Sequence, residues 1–517
     1  MNSTIRHWMR PPTASIAMLL LAAMPLAAQG RGRGGPGPQG HPYDPSITDA
    51  PPVVTHHSIQ VGGQTYAYTA TAGRLPVPDA TGKTEAHIFF VAYTLDGQQS
   101  ATRRPLAFIY NGGPGEPAIW VHVGGFGPRR IVLQDNGALP PPPYKMVDNQ
   151  DTWLPFTDMV FIDPDGTGYS RAVSEKALTA TSGVAGDLQS LGEFIRLYLT
   201  RYDRFGSPLY LAGESYGTFR SAGLAGYLAQ RGIALNGVML LSSVLDMATL
   251  GESTDNDLPN VLFLPTYTAT AWYHKKLPPD LQKLTLKEAV AQSEHWATTQ
   301  YMHDLYEGDA LQGAERQQAI AEMARYTGLP PQLIDDYNLR ISSSLFDATL
   351  LQGQKEAIGR LDGRMVSFNR TPGDQRNDFD PSWVQRPVYT QMFTQYVRDE
   401  LGYKTDDVYG GGIAGWNYDG YGQNMSQLLE SAFAKNPYMK LLLATGYYDF
   451  ACPFFEAEYS MHHLFLPPDV QKNITVEHYE VGHMIYQDAT ARQELARDVR
   501  SFIANSDHPT AMNLEGR

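Results

Sequence analysis

Short apolar runs alternate with amphipathic stretches from about Tyr66 onward. His87–Thr94 (HIFFVAYT), Leu106–Tyr110 (LAFIY), Met159–Asp163 (MVFID), Leu209–Ala212 (LYLA) and Val238–Leu241 (VMLL) are apolar at successive positions rather than at every second one. A strand buried on both faces carries that pattern, so these runs predict a sheet covered on both sides. Between the third and fourth runs, Val184, Leu188, Leu191, Ile195 and Tyr198 recur at steps of 4, 3, 4 and 3. That spacing puts all of them on one face of a helix. Strand, helix, strand in this rhythm predicts a doubly wound, mostly parallel α/β sheet.

Beyond about residue 246 the pattern changes. Residues 278–360 carry Ala, Gln, Glu and Lys at helical spacing, broken at Pro330-Pro331. A loop-rich stretch follows, through Gly410–Gly412 and Trp416-Asn417-Tyr418-Asp419-Gly420-Tyr421, whose aromatics either contact substrate or pack on one another. Strand-like runs return at Leu441–Ala444 (LLLA) and Ile474–Tyr479 (ITVEHY). The pattern predicts a core built from 50–246 and 435–508, interrupted by a largely helical cap insertion at 247–434.

The N-terminus has a pattern of its own. Arg6 and Arg10 precede the apolar run Ala14–Met24, and Pro25-Leu26-Ala27-Ala28 supplies small residues for cleavage. This predicts a signal peptide at 1–28. The run is too short to cross a bilayer, which takes about 20 residues, so no stable membrane anchor is expected. Glycine and proline then dominate 29–49, a flexible leader. The expected destination is periplasmic or extracellular.

Composition removes several function classes. The chain has 517 residues, with 40 basic against 54 acidic side chains and a formal net charge of −14. Such a surface repels phosphate backbones, which argues against a nucleic-acid partner. Cys452 is the single cysteine. It cannot form an internal disulfide or a four-thiolate metal site, and neither HExxH nor a P-loop occurs, so no metal or cofactor is expected. Oligomeric state has no signature in the sequence.

The candidate chemistry starts at Gly213-Glu214-Ser215-Tyr216-Gly217. It fits the G-x-S-x-G nucleophile elbow, in which a tight strand-to-helix turn exposes a serine hydroxyl. The LYLA strand precedes it and Tyr216–Gln230, a helix rich in small residues, follows. A serine needs a base to take its proton and an acid to orient that base. Asp449 stands just after the LLLA strand and His483 just after ITVEHY, in the chain order serine, acid, histidine.

With these residues in view, the chain resembles the serine carboxypeptidase family. The resemblance is carried by the turn Asn111-Gly112-Gly113-Pro114-Gly115, by Asn149, Thr152 and Trp153, and by Phe161-Ile162-Asp163-Pro164 with Gly166, Gly168, Tyr169 and Ser170. Gly213–Gly217, Gly446 with Asp449, and Gly482-His483-Met484 complete it in the same order. The resemblance implies an α/β-hydrolase fold and Ser215, Asp449 and His483 as a catalytic triad. It also implies an oxyanion hole from the N–H groups of Gly113 and Tyr216, and peptide substrates with a free C-terminus. The substrate carboxylate would be held by Asn111 and Glu214. A glutamate facing a carboxylate must share a proton with it, so Glu214 is expected to have a raised pKa and peptidase activity to favour acid pH.

Departures from the family pattern matter. A second glutamate usually stands two residues before the Gly-Pro pair; here Gly125 precedes Gly127-Pro128. Arg129 and Arg130 follow, and Arg129 is a second candidate for the substrate carboxylate, the alternative being a surface ion pair. Glu116 replaces a common disulfide cysteine and Tyr486 replaces a proline; neither is expected to touch the chemistry. Cys452 either lines the substrate pocket or is a small buried apolar residue. The triad alone does not separate a peptidase from an esterase or acyltransferase of the same fold. Two further alternatives are a proline aminopeptidase, which lacks the glutamate before the serine, and a binding protein with a fossil site.

Overall fold

Runs that are apolar on both faces need cover on both faces, and the sheet supplies it. The strands are β1 (Val53–Val61), β2 (Gln64–Pro78), β3 (Thr84–Leu95), β4 (Leu106–Tyr110), β5 (Arg129–Ile131), β6 (Met146–Asp148), β7 (Asp158–Ile162), β8 (Arg171–Ala172), β9 (Leu209–Ser215), β10 (Gly237–Ser243), β11 (Glu356–Ile358), β12 (Val366–Phe368), β13 (Lys440–Gly446) and β14 (Ile474–Tyr479). They belong to a computed structural model that describes residues 41–98, 103–251, 253, 255–368, 381–410, 415–418 and 424–507. The expected signal peptide at 1–28, most of the leader at 29–49, and residues 411–412 and 419–421 of the aromatic loop lie outside these residues.

Among the described residues a ten-stranded sheet runs in the order β1-β2-β3-β7-β4-β9-β10-β13-β14, with β8 pairing β3. From β7 to β14 the neighbours are parallel. Strands β4, β7 and β10 are buried along their whole length, as expected of strands covered on both sides. The apolar runs read from sequence all fall in this sheet. Strands β1 and β2 were not among them. They form an antiparallel hairpin at the sheet edge, where β1 buries only Ile59 along VVTHHSIQV, so no apolar run marks it.

Two apolar layers cover the sheet. On one face the helix Val184–Arg201 buries Val184, Leu188, Leu191, Ile195 and Tyr198, beside the helix Tyr216–Gln230. On the other face lie Trp120, Val121 and Phe126 with Leu495, Val499 and Ile503 of the helix Ala489–Asp507.

Packing divides the expected insertion at 247–434. Its first part, through Ile358, builds a separate core in which Tyr267 stacks on Phe346 at 4.4 Å. The helix Pro381–Asp399 instead places Val388, Tyr389, Phe393 and Tyr396 in one layer on the sheet. The helix Ser426–Lys435 places Leu429, Ala432 and Phe433 in the other layer. Among the described residues no helix is long and apolar enough to cross a membrane.

One buried charge ties the start of β7 to its surroundings. Asp158 is 1% exposed. It accepts from Arg104 at 2.7 Å, from Arg204 at 2.8 Å and from the Leu95 N–H at 3.0 Å. Removing one partner of a buried ion pair strands the others. Asp158→Ala is therefore expected to cost about 3–5 kcal/mol, measured by urea unfolding.

Candidate active site

Strand β9 ends in the elbow, and the helix Tyr216–Gln230 starts at the next residue. Ser215 sits between them at φ +60°, ψ −131°, a backbone strain that projects its side chain off the sheet edge. It remains partly exposed while the six residues before it in β9 are buried. The Gly112 turn packs directly on this elbow. A Cβ at Gly112 would lie 2.4 Å from the Tyr216 nitrogen and 2.7 Å from the Gly217 nitrogen. Only glycine lets the two turns meet so closely, and the next residue, Gly113, is exposed.

Asp449 and His483 come from the loops after β13 and β14. Asp449 is fully buried and His483 is 4% exposed. Asp449 Oδ2 lies 2.8 Å from His483 Nδ1, while Oδ1 accepts the N–H groups of Ala451 at 2.7 Å and Cys452 at 2.9 Å. Burial depresses the His483 pKa, but the Asp449 charge and hydrogen bond, with Glu214 nearby, leave it raised above 6.5. The geometry leaves Nε2 as the ring nitrogen free to take a proton.

Residues 359–364 of the insertion strap these two loops together. The His483 N–H donates to the Leu361 carbonyl at 2.6 Å, and the Phe450 N–H to the Arg360 carbonyl at 3.1 Å. Arg364 pairs with Asp362 at 2.7 Å and Asp488 at 3.2 Å, and donates to the Glu480 carbonyl at 3.0 Å. From β10, the Ser242 hydroxyl donates to the His483 carbonyl at 2.6 Å. Sequence reading missed this strap, because nothing in a short segment of the insertion marks which distant carbonyls it will meet.

Beside the serine, Glu214 is buried and its pKa is pushed up to about 7, chiefly by burial. That is the direction expected from the sequence. Its Oε2 accepts from the Asn111 side-chain amide and from the Tyr486 hydroxyl at 2.9 Å. Oε1 is buried without a hydrogen-bond partner among the described residues. Asn111 is held in turn: its side-chain oxygen accepts the Val121 N–H at 3.2 Å and its carbonyl accepts from Arg220 at 2.7 Å. Arg220 is wholly buried and paired with Asp187 at 2.7 Å.

Several expectations change. Tyr486 does touch the site, through Glu214. Glu116 also lies close by: its N–H donates to the Gly112 carbonyl at 3.1 Å, and its carboxylate pairs with Arg386 of the insertion at 2.7 Å. Arg129 already holds carboxylate partners within the chain. Its guanidinium is paired with Asp148 at 2.7 Å and Glu400 at 3.2 Å, which is the surface-ion-pair alternative. Cys452 is buried, which raises its thiol pKa, and it lies near enough to Ser215 for the serine to offset part of that rise. Trp416 packs edge-on against Tyr216 at 5.3 Å, so the described part of the aromatic loop supports the elbow. Among the described residues no group of three His, Cys, Asp or Glu side chains could hold a metal.

A family model described as serine carboxypeptidase matches residues 64–495. Serine carboxypeptidase S10 family member 1 of Dictyostelium discoideum is 26% identical over 154 residues, covering 29% of this chain and 34% of its own length. Serine carboxypeptidase-like 35 of Arabidopsis thaliana is 28% identical over 164 residues, 30% of this chain and 32% of that protein. The chain thus spans about a third of the length of these relatives. Kex1(delta)p, a prohormone-processing carboxypeptidase from Saccharomyces cerevisiae, superposes with a TM-score of 0.53 at 16% identity, over 86% of this chain and 93% of that one. Likeness at that identity shows the shared α/β-hydrolase fold.

Replacing Asp449 by asparagine removes the acceptor that fixes the His483 tautomer. Asp449→Asn is expected to slow labelling of Ser215 by a phosphonofluoridate by roughly 10³–10⁴-fold, read by mass spectrometry at pH 7.5.

Proposed function

Because the chain belongs to the serine carboxypeptidase family, we propose that it is an exported serine-type carboxypeptidase removing C-terminal residues from peptides through an acyl-enzyme on Ser215. The observation that carries the substrate class is Glu214, a buried carboxyl beside the serine, held by Asn111 and pushed up to about 7. Hydrolysis of a simple ester has no need of such a group. A peptide's free carboxylate does, because a protonated Glu214 donates its proton into a hydrogen bond instead of repelling the ligand.

The Asp449–His483 pair at 2.8 Å supports the following steps. His483 Nε2 takes the Ser215 proton as Oγ attacks the scissile carbonyl carbon, and the Asp449 carboxylate stabilises the imidazolium that forms. The carbonyl oxygen becomes negative and is met by the N–H groups of Gly113 and Tyr216. Losing one such donor typically costs about 2.7–4 kcal/mol of barrier. Collapse returns the proton from His483 to the leaving amine, and the C-terminal amino acid departs. Water, deprotonated by His483, then attacks the Ser215 ester and releases the shortened peptide. Export rests on the N-terminal pattern of Arg6, Arg10 and Ala14–Met24.

Incubation with a peptide mixture should release one C-terminal residue at a time by mass spectrometry, and Ser215→Ala should abolish release. C-terminally amidated copies should resist. Ester turnover without release from free C-termini would instead favour the esterase or acyltransferase reading.

The two shifted groups set the pH profile. His483 must be neutral, so kcat falls as pH drops through its raised pKa. Glu214 must be protonated to hold a carboxylate, so KM rises as pH climbs above about 7. KM measured from pH 5 to 9 on an N-blocked dipeptide checks this. A KM constant across that range contradicts the Glu214 role.

A further inference from the structure

Two departures from the family pattern turn out to be one feature in space. Tyr486 is 1% exposed and its ring lies against Gly125. A Cβ at Gly125 would stand 2.7 Å from Tyr486 Cγ and 2.8 Å from its Cβ. The backbone cannot yield to make room, because the Gly125 carbonyl accepts from the Asn149 side chain at 2.6 Å. At Gly124 a Cβ would stand 3.0 Å from Tyr486 Cε2. Phe126 closes the other side, edge-on to the ring at 5.3 Å. The slot brings the hydroxyl to the Glu214 carboxyl at 2.9 Å.

We propose that Tyr486 is a positioning residue for Glu214, and that Gly125 lacks a side chain so that the tyrosine ring can occupy the space a larger residue would fill. This rests on the carboxypeptidase reading, in which Glu214 receives the substrate's terminal carboxylate. In the family pattern position 125 carries a glutamate. Here the phenol is a hydrogen-bonding neighbour to Glu214 that adds no second carboxyl to the site. Burial keeps the phenol protonated, so it has a proton to donate to Glu214.

The remaining groups that face Glu214 are Asn111, His483 and Asp449, with Tyr389 of the insertion helix behind it. Arg130 and Arg492 act on Tyr389 from further out. Of these, the Tyr486 hydroxyl and the Asn111 amide are the ones hydrogen-bonded to the Glu214 carboxyl. A donor stabilises the ionised form, so its loss keeps Glu214 protonated to higher pH.

The test is the pH at which KM for an N-blocked dipeptide with a free C-terminus begins to rise. In Tyr486→Phe that midpoint is expected to move up by about one pH unit, the size of one hydrogen bond to a charged group. Gly125→Ala, which displaces the ring while leaving the hydroxyl in the chain, should move it in the same direction. A thermal melt of each variant confirms that it is folded. An unchanged midpoint in folded Tyr486→Phe overturns the proposal, and an unchanged midpoint in Gly125→Ala overturns the coupling of the two positions.

A second readout needs no peptide. The Glu214 charge raises the His483 pKa, so keeping Glu214 neutral should shift the pH limb of phosphonofluoridate labelling at Ser215 downward in Tyr486→Phe. If wild-type enzyme labels but releases no C-terminal residue, the carboxypeptidase reading fails. The labelling limb still decides whether Tyr486 controls Glu214: a limb that does not move overturns the assignment.

Discussion

The structure is organised around a carboxylate that has been taken fully out of water, Asp449. Burial of a charge is costly unless donors replace the lost hydration. Here every oxygen is engaged: His483 on one, the N–H groups of Ala451 and Cys452 on the other. That arrangement demands that two loops after different strands hold fixed positions relative to each other. Adjacent parallel strands β13 and β14 bring them close, and the 359–364 segment of the insertion bonds to both. The imidazole is thereby fixed at its ring and at both ends of its backbone unit, since Leu361 accepts its N–H and Ser242 donates to its carbonyl.

A second buried carboxyl lies a few residues of space away and is treated in the opposite manner. Glu214 receives donors on one oxygen and leaves the other unpartnered among the described residues. Its pKa is pushed up to about 7. Two acids in one site with different hydrogen-bond supply can serve as an orienting anion and a proton-sharing ligand receptor. The shells around them differ in origin. Asp449 is satisfied largely by its own loop. Glu214 depends on Asn111, itself held through Arg220 and Asp187 by the two helices behind the sheet.

The insertion is not simply a lid over this site. Its first part has an independent apolar core, yet Phe450, next to Asp449, stacks on Tyr267 inside that core at 5.8 Å. Its later helices join the layers on the sheet. Arg386, on one of them, pairs with Glu116 beneath the Gly113 turn. The loops that carry Asp449 and His483, and the turn at Gly113, therefore all share contacts with the insertion.

What the sequence determined by itself was local. Apolar runs marked the central strands because full burial leaves an unambiguous pattern, and the steps through Val184 and Tyr198 marked a helix face. The elbow around Ser215, and the order of Asp449 and His483 behind strand ends, were legible because turn chemistry and chain order are properties of the chain. Only the tertiary structure decided the rest. Edge strand β1 escaped because it buries only Ile59, and its partner β2 because its buried residues alternate with less buried ones. Arg129 met Glu400, Tyr486 met Glu214, and residues 359–364 met the loops of Asp449 and His483, each a partner far away in sequence. A hydrogen bond such as Tyr486 to Glu214 leaves no periodic trace along the chain. It exists only once folding has carried residues 272 positions apart to within 2.9 Å.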